Sequence, residues 1–72
     1  MKEVSEMWTP VIGRNAGALW KILNAKGEHN LSALKKQAKL DDKHLYLAIG
    51  WLAREDKIKF TQNKNQITIS LK

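Results

Sequence analysis

The stretch Ile58-Lys59-Phe60-Thr61-Gln62-Asn63-Lys64-Asn65-Gln66-Ile67-Thr68-Ile69-Ser70-Leu71 decides the fold. Ile58 and Phe60 alternate with Lys57, Lys59 and Thr61, and Ile67, Ile69 and Leu71 alternate with Gln66, Thr68 and Ser70. A period of two marks strands with one face buried and one wet. Asn63-Lys64-Asn65 between the runs is turn chemistry, because asparagine tolerates a positive φ. The reading is a β-hairpin. A lone hairpin is marginal in water, so its apolar face must lie on a body built by the preceding residues.

Working upstream, the period changes to that of helices. Asp41 is a good N-cap for a helix over Asp42–Glu55, with Leu45, Ala48, Ile49 and Leu52 as its buried stripe. Ser32 suits the cap of a shorter helix over Ala33–Lys39, with Leu34 and Ala38 inward and Lys35, Lys36 and Lys39 outward. Asn30-Leu31 reads as a short extended piece. Before it, Thr9 and Pro10 read as the cap and first residue of a helix over Pro10–Lys26, where the missing proline N–H costs nothing. Ile12, Ala16, Leu19 and Leu23 form its stripe, flanked by Trp20, and Gly27 fits the left-handed position just past its end. Residues 1–9 read as an N-terminal arm in which Val4, Met7 and Trp8 have helical spacing, and residues 10–72 as one domain.

The chain has 72 residues and no cysteine, so neither disulfides nor thiolate metal sites support the core. A chain this short buries only about 60% of its unfolded surface. No apolar run approaches the roughly 20 residues of a membrane span, and Glu3 and Glu6 break any leader-like start, so a cytoplasmic protein without a membrane partner is expected. The net charge is +6, and it is unevenly placed. Residues 1–33 carry four basic and three acidic side chains, whereas residues 34–72 carry nine and four. A basic half on a small domain favours a polyanionic partner, although a solvated lysine surface is common.

The order helix, extended piece, helix, tight turn, helix, hairpin resembles the winged helix-turn-helix domain over Pro10–Leu71. The resemblance rests on Leu31-Ser32-Ala33-Leu34 opening the second helix, on Leu40-Asp41-Asp42 before the third, and on Leu52-Ala53-Arg54-Glu55-Asp56-Lys57-Ile58 passing into the wing. The run Leu45-Tyr46-Leu47-Ala48-Ile49-Gly50-Trp51 completes a likeness to small stand-alone bacterial winged-helix proteins of uncharacterised function. The resemblance implies an α+β fold, three helices followed by a two-stranded antiparallel wing. It also implies a third helix set in the major groove of double-stranded DNA, as in transcription regulators. Winged helices also serve as protein–protein modules, which is the alternative.

The residues test both. At about 100° per residue, Lys43, Leu47, Gly50 and Arg54 fall opposite the core stripe of the third helix, with Tyr46 on a flank. Lys43 and Arg54 suit phosphate or guanine, and Gly50 admits close backbone approach. Lys35, Lys36 and Lys39, with Lys57, Lys59 and Lys64 on the wing, suit phosphate. Against DNA stand Asp41 and Asp42 at the start of that helix, and its poverty in base-reading side chains. Tyr46, Leu47 and Trp51 lie off the core stripe, as interface anchors do. Gly13, Gly17 and Trp20 group on one side of the first helix, so with Trp8, Leu47 and Trp51 they are the candidate protein interface of a homodimer.

No catalytic constellation accompanies these residues. Gly13-Arg14-Asn15-Ala16-Gly17 lacks the Gly-Lys-Ser/Thr ending of a phosphate loop. His29 and His44 are isolated, Ser5, Ser32 and Ser70 have no base, and Asp41-Asp42 and Glu55-Asp56 are adjacent pairs not set across a cleft. No enzyme, metal, cofactor or small-molecule substrate is therefore expected. Trp20 and Phe60 are expected to be buried.

Overall fold

The computed structural model of the chain describes residues 5–72. Three helices, α1 (Ser5–Lys26), α2 (Leu31–Ala38) and α3 (Asp42–Arg54), pack against strands β1 (His29–Asn30), β2 (Ile58–Asn63) and β3 (Gln66–Leu71). The sheet is antiparallel, in the order β1-β3-β2. The fold is the α+β winged helix read from the sequence, with one strand more than the two expected. His29 pairs with Ile69 and Asn30 with Thr68, so the short extended piece has become an edge strand. Its backbone groups stand beside β3, whose outer edge would otherwise be unpaired.

The helical stripes close the core. Ala16, Leu19 and Leu23 of α1, Leu34 of α2, and Leu45, Ala48, Ile49 and Leu52 of α3 are buried, together with Ile58 and Ile69 of the hairpin. Ile69 sits on the middle strand, cross-strand from Phe60 on one side and His29 on the other. Gly27 takes φ 83° and its N–H donates to the Leu23 carbonyl, ending α1 as expected. Lys39 does the same for α2 without being glycine, at φ 58° with its N–H on the Lys35 carbonyl. At the hairpin tip it is Lys64, not a neighbouring asparagine, that takes the left-handed conformation, at φ 58°.

Several local expectations are corrected. α1 is helical from Ser5, so Thr9 does not cap it and Pro10 lies inside it. Proline there removes one helical hydrogen bond and disfavours helix at Thr9. In the turns before the proline, the Trp8 ring stacks on His44 of α3 with centroids 5.4 Å apart. Val4 and the earlier residues of the expected arm lie outside the described residues. The cap of α2 is Asn30, whose side-chain Oδ1 accepts the Ala33 N–H at 2.8 Å, so Ser32 falls in the first turn. Asn30→Ala should therefore lower stability by about 1 kcal/mol, and Ser32→Ala by far less. Thermal unfolding of the two variants checks this, and equal losses would return the cap to Ser32.

Phe60 and Trp20 are not buried; they are 50% and 38% exposed. Phe60 is on the same sheet face as Ile58, but it stands on the edge strand β2, and its partner Ile69 on the middle strand takes the buried place. Trp20 lies on the margin of the α1 stripe, beside the opening between α1 and α3.

Candidate functional site

The outward side of α3 carries one continuous row. Lys43, Leu47, Gly50 and Arg54 recur at i, i+4, i+7 and i+11, and all four are exposed. The spacing puts them on one line because about 3.6 residues make a turn. Leu47, nominated for a protein contact, therefore stands within the row of nominated DNA contacts. A side chain at Gly50 would meet nothing within 4 Å, so the surface above that turn is open. Tyr46 turns to the other flank. There it lines a polar notch of about 240 Å³ with Asn30, Leu31 and Ser32 before and at the start of α2, and Asn65, Gln66 and Ile67 at the wing tip. Sequence periodicity had no means to find that notch, whose walls come from three distant segments.

Charge along this side is not what the bare sequence suggests. Asp42, at the start of α3, is held by Lys35 of α2, with Nζ 2.8 Å from Oδ1. That hydrogen bond, with the attraction behind it, raises the Lys35 pKa above its ordinary value. The Asp41 carboxylate accepts the His44 backbone N–H at 2.9 Å and lies 2.7 Å from His44 Nδ1, a distance that selects the Nδ1–H form as donor. The backbone hydrogen bond first, and the ring second, hold the Asp41 carboxyl below the usual carboxylate range. Both acids are thus engaged within the chain. Lys36, Lys39, Lys43, Arg54, Lys59 and Lys64 are exposed and form no ion pair among the described residues. Lys43 lies over the Trp8 ring, 5.7 Å from its centroid.

The nominated residues divide between two surfaces. Lys43, Gly50 and Arg54 form the row, with Tyr46 beside it. Lys36 and Lys39 belong to α2 and Lys64 to the turn of the wing. Lys35 is occupied by Asp42. Lys57 lies away from the wing tip, 3.6 Å from Glu55, and Lys59 lies on β2 opposite Ser70. Gly13, Gly17, Trp20 and Trp51 come together in a groove of about 490 Å³ between α1 and α3, rimmed by Lys21, Glu55 and Lys57. Trp8 is separate: its ring stacks on His44, and the two line an opening with Met7 and Val11. Its spacing placed it in an apolar patch but did not name His44 as its partner. Among the described residues no group of three or more His, Asp or Glu side chains is placed to hold a metal, and no helix is long and apolar enough to cross a membrane.

Residues 4–71 match the family described as a winged helix-turn-helix domain (DUF2582). An uncharacterised protein of Methanocaldococcus jannaschii is 36% identical over an alignment that covers 96% of this chain and all of that relative.

Proposed function

Because the chain belongs to this winged helix-turn-helix family, we propose that it is a binding module, not an enzyme, which engages double-stranded DNA in the cytoplasm in the manner of a transcription regulator. The row Lys43, Gly50 and Arg54 faces the major groove, Tyr46 donates to phosphate from the flank, and Lys36, Lys39, Lys59 and Lys64 supply further phosphate contacts. One observation carries the reading: Asp41 and Asp42, the acids that would repel DNA at the start of α3, are engaged by His44 and Lys35. The charged side chains on that side that form no ion pair among the described residues are basic.

Fluorescence anisotropy of a labelled random-sequence duplex tests it. With about six phosphate contacts, binding should be measurable at micromolar protein near 50 mM salt and weaken with a log–log slope near −5. No binding at the lower salt would overturn the reading.

A second reading has its own support. The half-exposed Trp20 and Trp51 are typical protein anchors, and they favour a chain that works as a homodimer, either on DNA or without it. Two-fold readers bind paired half-sites, so the two readings are compatible.

A further inference from the structure

We propose that Leu47 reads the 5-methyl group of thymine in the major groove, as a specificity residue for the DNA binding proposed above, on which this assignment rests. Leu47 stands in the middle of the outward row and is 41% exposed. Among the described residues it belongs neither to the buried core nor to the apolar side chains packed against that core. Its neighbours along the row are Lys43 one turn before it, Gly50 one turn after it and Arg54 two turns after it. Neither cation forms an ion pair among the described residues. An apolar group set between two such cations suits a polyanion, whereas the centre of a protein contact is depleted in charge. Gly50 adds no side chain, and a Cβ there would meet nothing within 4 Å, so the turn beside Leu47 is bare backbone. A base edge brought against that turn meets the leucine.

The chemistry of the row selects the base. Lys43 and Arg54 only donate hydrogen bonds, and Leu47 neither donates nor accepts. Adenine N6 and cytosine N4 present donors, and no side chain of the row accepts one. Guanine presents the acceptors N7 and O6, and thymine presents the acceptor O4 beside its 5-methyl group. An aliphatic side chain has one partner among these groups, the methyl. At about 1.5 Å of rise per residue, Leu47 lies roughly 6 Å from Lys43 and roughly 10 Å from Arg54 along the helix. At about 3.4 Å per base pair, the thymine then falls roughly two pairs from the Lys43 contact and three from that of Arg54. A helix poor in polar base readers thus still discriminates, through one methyl group held between two cations.

Replacement of thymine by deoxyuridine tests this, because deoxyuridine keeps every hydrogen bond of thymine and lacks only the methyl. A random-sequence duplex pool is enriched on the wild-type chain near about 50 mM salt, and the enriched duplex is remade with deoxyuridine at one thymine at a time. At one or two adjacent positions the replacement should weaken wild-type binding about fourfold, the worth of one buried methyl group. Leu47→Gln, which leaves charge and helix propensity nearly alone, should bind the thymine and deoxyuridine duplexes equally, with an unchanged salt slope. Leu47→Met should keep the preference. A pool that binds without enriching, a wild-type chain indifferent to deoxyuridine at every position, or a preference that survives Leu47→Gln would overturn the role of Leu47 and leave DNA binding standing. A pool that does not bind at this salt would overturn both.

Discussion

Ile69→Ala is expected to leave most of the chain unfolded at room temperature when measured at low protein concentration. Ile69 is fully buried on the middle strand, and three elements meet around it: β1, β2 and the helical body. Truncating a buried isoleucine to alanine costs about 2–5 kcal/mol, the lost transfer energy plus the cavity left behind. A core of this size supplies only about 3–5 kcal/mol of net stability. The substitution therefore removes most of what holds the domain together. Phe60→Ala, one strand away and half exposed, should cost only about 1 kcal/mol. Urea denaturation followed by circular dichroism separates the two. If Ile69→Ala unfolds at nearly the wild-type urea concentration, the hairpin is not what seals the helices.

Charge reversal on the outward row is expected to have the second large effect. Lys43→Glu with Arg54→Glu changes the local charge by four units without touching the core, since both side chains are exposed and neither forms an ion pair among the described residues. Affinity for duplex DNA should fall by more than about a hundredfold near 50 mM salt, and the salt slope should shrink by about 2. Folding should lose no more than about 1 kcal/mol, the worth of an exposed contact such as that of Lys43 over the Trp8 ring. Gly50→Leu supplies the complementary test, because it leaves the charge alone and raises a side chain over an open turn of α3. If α3 enters a groove, that variant weakens binding with little change in salt slope. If binding is diffuse attraction to a basic surface, only the reversed charges matter. Unchanged affinity in the double reversal would remove α3 as the contact surface.

The candidate site was partly legible before the fold was known. The row Lys43, Leu47, Gly50, Arg54 follows from helical spacing alone, and so does the grouping of Gly13, Gly17 and Trp20. What spacing did not give was the partner of Asp42. Asp41 and Asp42 read as repellents of DNA, and the fold sets Lys35 of α2 against Asp42, while His44 engages Asp41 within the first turn of α3. Trp51 likewise read as an anchor without a partner, until α1 laid Gly13 and Trp20 beside it. A sequence carries the face on which a residue lies. It does not carry the residue from another element that comes to stand opposite.

By itself the sequence determined the three helices, the hairpin and the apolar side of each. Those properties are periodic, and periodicity is set by local backbone geometry. Only the tertiary structure decided the rest. α1 continues back past Pro10, where Trp8 stacks on His44, and His29-Asn30 becomes a strand because β3 offers it an edge. Asn30 caps α2 in place of Ser32, and Phe60 stays half in water on the edge strand while Ile69 opposite it is buried. For β1 a pairing between residues distant in sequence outweighed a weak local preference, and at Phe60 the lack of covering neighbours did.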